Sequence, residues 1–139
     1  RGLAERLIVE ITETATIENP TRIARLLGKI KERGARVAID DFGAGHTSLR
    51  HLRAFPIDVL KIDGTFTQNL RRSTDDRFYV RTLIDLARHL GVDTVAEWVD
   101  DETQARMLAD WGVTYLQGHL VGKAELRRPA PARGQRAAG

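Results

Sequence analysis

The sequence predicts an α/β fold of parallel strands joined by helical crossovers. Three observations carry that expectation. Short apolar, β-branched runs alternate with longer stretches of helical periodicity. Each connection is of helix length, as parallel pairing with right-handed crossovers requires. Every run also ends in charged or amide side chains: Glu10, Asp40 with Asp41, Lys61 with Asp63, Glu97, and Gln117. Parallel α/β sheets bind ligands at the carboxyl ends of their strands. The convergence of five such ends marks the candidate site.

The elements follow in order. Residues 7–13 form an apolar, β-branched strand with a carboxylate near its end. Asn19, Pro20 and Thr21 start a helix, since Pro is tolerated in a first turn. Ile23, Leu26, Leu27 and Ile30 keep helical spacing up to a Gly34 cap. The second strand runs from Arg36 to Ile39 and ends at Asp40 and Asp41. A loop over residues 42–47 leads to a short helix with Leu49 and Leu52, stopped at Pro56. Residues 58–63 form the third strand. A polar connection through Arg71, Arg72, Ser73, Thr74, Asp75 and Asp76 precedes a helix marked by Phe78, Leu83, Leu86, Ala87 and Leu90 and closed by Gly91. The fourth strand is 93–97, the next helix 103–109 and the fifth strand 113–118. From about Arg127 the chain is rich in Arg, Ala, Pro and Gly and buries almost nothing, so residues 127–139 are expected to be a disordered tail behind an ordered unit over 1–126.

The 139 residues suffice for one modest domain with a core. With 42% hydrophobic and 29% charged residues, the composition is that of a soluble globular protein. There are no cysteines, which excludes disulfides and thiolate metal sites. No apolar run approaches the roughly 20 residues of a membrane helix, and no signal peptide is evident, so no membrane contact in this segment and a cytoplasmic location are expected. The net charge is +3 and the pI about 9.7. Much of that excess sits in the tail, at Arg127, Arg128, Arg133 and Arg136. No basic recognition face is evident, and no nucleic-acid partner is expected.

The stretch from Val37 to Ser48 organises the rest. An apolar run enters two adjacent carboxylates, then a loop with Gly43 and Gly45. Two acids at a buried strand end need cations or hydrogen bonds. Hard divalent cations want oxygen ligands of this kind. One reading is a metal site; the other is a capped strand–helix turn with solvated aspartates.

Glu10-Ile11-Thr12-Glu13, Asp40-Asp41-Phe42-Gly43-x-Gly45, Lys61-Ile62-Asp63, Ala96-Glu97-x-Val99 and Gln117-Gly118 occur in the order and spacing of the EAL domain. The chain resembles that family over roughly residues 7–123. The resemblance implies a TIM-like (β/α) barrel, here a partial one lacking its N-terminal strands, since a closed barrel has eight. It implies hydrolysis of cyclic di-GMP to linear pGpG with Mg2+ or Mn2+, two ions in a complete domain. By the same resemblance Glu10, Asp40 and Asp41 are metal ligands, Lys61 steadies the attacking water, and Glu97 is the general base or a ligand of the second ion. Glu13 holds the loop of Phe42, Gly43 and Gly45. Asp63, Gln117 and Asp100 lie among the substrate contacts and the groups behind the ligands.

The departures are specific. The family's Glu-Ala-Leu segment and a later asparagine ligand fall outside this chain, so the metal site is expected to be incomplete in it. Where the family has Ala-Glu-Gly-Val-Glu, the chain reads Ala96-Glu97-Trp98-Val99-Asp100. Ala44, His46 and Thr47 replace the usual loop residues. His46 is expected in the loop or at the surface. His51, His89 and His119 lack ligand spacing and are expected to be structural, and Trp111 to pack before Gly112. Two functions remain open: the phosphodiesterase, or a catalytically inactive EAL-type sensor or protein-interaction module. A third, a Schiff base on Lys61, is opposed by Asp40, Asp41 and Asp63. The apolar edge at residues 7–11 predicts homodimerisation or poor stability. The resemblance also leaves room for an upstream signalling domain.

Overall fold

The computed structural model describes residues 2–42 and 49–123. After a 3-10 turn (Leu3–Arg6), the chain forms β1 (Ile8–Thr12), α1 (Glu13–Glu18), α2 (Pro20–Glu32), β2 (Arg36–Phe42), α3 (Leu49–Ala54), β3 (Val59–Ile62), α4 (Gly64–Asn69), α5 (Thr74–Leu90), β4 (Asp93–Ala96), α6 (Glu102–Trp111) and β5 (Tyr115–Leu116). All four pairings are parallel, and the strand order is the chain order, β1-β2-β3-β4-β5. Sequential parallel strands with helical crossovers form an arc of a (β/α) barrel.

Strand alternation sorts the side chains onto two faces. Val37, Ile39, Leu60, Ile62 and Ala96 turn outward into one core with Leu27 of α2, Val80 and Ile84 of α5, and Leu108 of α6. Glu10, Arg36, Ala38, Val59, Lys61 and Tyr115 turn to the concave face, around an open hollow of about 500 Å³. A slip of one residue in β3 would carry Lys61 into the core and Leu60 out of it, so the apolar pattern fixes the register of the site.

The amino ends of the strands are tied by charge. Asp58 accepts from Lys31 Nζ at 2.6 Å and from the Val37 amide at 2.8 Å. Arg36 donates to Asp93 at 2.6 Å. Burial pushes the Asp58 carboxyl up, but Lys31 and the Val37 amide outweigh it and hold it below its usual value. Asp58 therefore stabilises the fold above about pH 4, and that contribution is lost as pH falls through the lowered folded value. Asp58→Ala is expected to cost about 1.5–3 kcal/mol at pH 7. Urea titrations at pH 7 and pH 3 should show the difference from the unsubstituted chain shrinking in acid.

Several expectations need correction. β1 stops at Thr12, and Glu13 opens α1. β2 continues through Phe42. β5 is two residues long, not six, because the backbone leaves the sheet at Gln117. α5 begins at Thr74, capped by the Ser73 side chain, which accepts from the Asp76 amide. Asp75 and Asp76 thus belong to a first turn, where acids suit the helix dipole. α4 was not expected at all; Asp63 caps it. The loop of Gly43, Gly45 and His46 and the tail 127–139 lie outside the described residues. No helix among the described residues is long and apolar enough to cross a membrane.

Candidate metal and catalytic centre

Lys61 lies at the centre of the strand ends. Its side chain is on the concave face of β3 and only 7% of the residue is exposed. Its Nζ lies 2.9 Å from Glu97 Oε1, 3.1 Å from Glu10 Oε2 and 3.3 Å from Asp40 Oδ1. An ammonium has three N–H donors, and here three acids from three segments surround it. Burial works to lower the Lys61 pKa, but hydrogen bonds to Glu97 and Glu10 prevail and hold it above the ordinary lysine value. A Schiff-base lysine needs the opposite shift.

The aspartate pair is gathered by a bulge. Ile39 pairs with Leu60 and Phe42 with Ile62, so Asp40 and Asp41 together face the single residue Lys61. Such a bulge re-aims side chains. Asp41 takes φ 54°, and its amide donates to Asp40 Oδ1 at 2.9 Å. The left-handed backbone breaks strand alternation and brings both carboxylates to one side. One oxygen each of Asp40, Asp41 and Glu97 can lie within 4.8 Å of the others. Desolvation, then the charges of Asp40 and Asp63, raise the Asp41 pKa. Burial raises that of Glu97, against the pull of Lys61. Four acids, Glu10, Asp40, Asp41 and Glu97, meet one ammonium and leave three negative charges when all are ionised. A cation relieves that repulsion, and its donor set is the all-oxygen one that Mg2+ or Mn2+ favours.

The other candidates are placed differently. Glu10 touches Lys61 but is half exposed. Glu13 is buried at the start of α1; burial and then its charge raise the Tyr79 pKa. Asp63 accepts from the Thr65 amide and hydroxyl, both at 2.7 Å, while its charge still reaches Asp41. Gln117 borders the concave hollow with Glu10 and Lys61. Phe42 is a core residue, 5% exposed, rather than a loop contact. Asp100 stands apart from the acidic trio, 3.6 Å from His119 Nδ1. His119 is exposed and stands beside Asp100. One residue escaped the sequence reading. Buried Gln104 accepts from the Asp100 amide at 3.1 Å and donates to the Gln68 carbonyl at 3.4 Å, tying α6 to the loop after Glu97. Its signal was an amide four residues before Leu108 on the apolar face of α6.

The EAL domain family model matches residues 1–124. The chain belongs to the EAL domain family. The cyclic di-GMP phosphodiesterase PdeB of Shewanella oneidensis is 38% identical over 116 residues, which are 84% of this chain and 14% of PdeB. Among solved structures, the PaMucR phosphodiesterase in complex with c-di-GMP gives a TM-score of 0.84 at 35% identity, covering 86% of this chain and 49% of that one. BlrP1 of Klebsiella pneumoniae, in a manganese/cy-diGMP complex, gives 0.78 at 29% identity, covering 84% and 30%. The chain thus spans about half or less of the length of these relatives. In the Ala96-Glu97-Trp98-Val99-Asp100 stretch, Trp98 takes φ 54°, a left-handed backbone that favours glycine, the residue of the resembled motif at this position. Gly118 is required for another reason: a Cβ there would strike the Val99 backbone.

Proposed function

We propose that this EAL domain takes part in divalent-metal-dependent hydrolysis of cyclic di-GMP to linear pGpG. The observation that carries the reading is the approach of Asp40, Asp41 and Glu97 beside the buried Lys61. Asp40 and Asp41, with Glu10 next to them, would hold Mg2+ or Mn2+, two ions in a complete domain, and Glu97 stands beside them. The metal, when bound, supplies phosphate-charge neutralisation and an acidified water. Lys61 fixes Glu97, Glu10 and Asp40, and its positive charge steadies the attacking water and favours its hydroxide form. Glu97, whose proton affinity is raised by burial, is suited to take a proton from the attacking water. Gln117 borders the same hollow and orients that water. Attack at phosphorus breaks one ester bond, frees a 3′-hydroxyl and leaves a 5′-phosphate. Calorimetric titration with Mn2+ tests the metal set. Asp41→Asn is expected to weaken Mn2+ binding at least about tenfold, and unchanged binding would contradict this site.

A second reading is a sensor or interaction module without hydrolysis. Bulky Trp98 beside Glu97, and Asp100 turned to His119, favour it. Nucleotide binding without product would establish it. Among the described residues β1 pairs only with β2, and Leu7 and Ile8 are each 51% exposed. We expect self-association there; a monodisperse monomer with a sharp unfolding transition would refute it. A cytoplasmic setting and an upstream signalling domain complete the proposal.

A further inference from the structure

We infer that Trp98 is a base-stacking platform that takes the face of one guanine of the substrate, a role that rests on the proposed cyclic di-GMP reading. Trp98 follows Glu97 directly, and Gln117 borders both the hollow beside Trp98 and the hollow that holds Glu10 and Lys61. The residue is 50% exposed, although exposing so large an apolar ring at a polar rim forgoes its burial. Its backbone is left-handed at φ 54°, a conformation that disfavours a bulky side chain. Both costs fall on one residue beside the proposed base, as expected of a side chain placed for contact with a ligand.

The ring has a fixed seat. Any Cβ at Gly64 would fall on its Cγ, Cδ2 and Cε3 atoms, so only glycine at the start of α4 admits the indole. Gly64 itself is buried, while much of the indole remains free. Two adjoining hollows open there. One, of about 640 Å³, is bordered by Trp98, Gln117, Gly118 and Val121. The other, of about 320 Å³, is bordered by Trp98, Gln68, Asp100 and His119. Either exceeds a purine base. An aromatic face accepts any base; Asp100 adds selection. Its carboxylate offers two acceptor oxygens, which match the adjacent N1–H and N2–H donors of guanine. Adenine presents an acceptor at N1 and is disfavoured.

The test uses the Trp111→Phe protein, in which Trp98 is the one remaining tryptophan of the two. Stopped-flow mixing with cyclic di-GMP, read before turnover, is expected to quench its emission. Calorimetry is expected to show at least about tenfold weaker binding for Trp98→Gly, with most of the affinity retained in Trp98→Phe. Glycine suits this backbone, and far-UV circular dichroism confirms that the variant folds. Cyclic di-AMP is expected to bind at least about tenfold more weakly than cyclic di-GMP. If cyclic di-GMP binds without quenching and equally well to Trp98→Gly, the platform is refuted while the substrate reading stands. If the unsubstituted protein binds no cyclic di-GMP, the substrate reading falls and takes the platform with it.

Discussion

Lys61→Met is expected to destabilise the chain by about 3 kcal/mol at neutral pH and to abolish hydrolysis. Removing one partner of a buried ion pair leaves the other charge uncompensated, which is worse than losing the pair. Here the stranded partner is Glu97, only 8% exposed. Glu10 is half exposed and Asp40 a quarter exposed, so water takes over part of their solvation and keeps the cost at the low end. The pH dependence has a definite sign. Without Lys61, burial raises the Glu97 pKa unopposed. A group with a raised folded pKa weakens the fold as pH rises through it. The deficit of Lys61→Met should therefore be largest at high pH and shrink towards pH 5. Urea unfolding across that range checks it; a deficit independent of pH would mean that lost packing, not charge, is responsible.

Glu97→Gln is expected to slow hydrolysis by about 10²–10⁴-fold, the range for loss of a general base. Stability should change little. Glutamine keeps an oxygen for the Lys61 ammonium, and burial already favours a neutral group at this position. Nucleotide binding should survive. The two substitutions thus separate: Lys61→Met loses fold stability and rate, Glu97→Gln rate alone. Initial rates with matched thermal melts distinguish them. A Glu97→Gln protein that keeps its full rate would remove Glu97 from the chemistry.

The strands and their polar ends were legible because apolar runs of β-branched residues alternate with helical periodicity. Lys61, Glu10, Asp40 and Glu97 were named from that pattern, and the structure brings all four together. The means of gathering Asp40 and Asp41 was not legible. Alternation alone sends adjacent side chains to opposite faces, and only the bulge with its positive φ reverses that. α4 was missed because its six residues open on glycine and are too few for periodicity to show. Its one sequence signal, Asp63, was absorbed into the site. β5 was overextended because residues 113–118 alternate suitably, yet the Gln117 carbonyl turns to the Val99 amide. The seat of Trp98 on Gly64 joins residues 34 positions apart and could not be read from either alone.

The most direct measurement follows linear product from cyclic di-GMP by chromatography, in Mg2+ or Mn2+, with and without chelator. The expected result is pGpG that forms with metal, stops on chelation and returns on metal addition, with Glu97→Gln as the slow control. Folded protein that binds Mn2+ and cyclic di-GMP but yields no pGpG would contradict the phosphodiesterase reading and leave the sensor in its place.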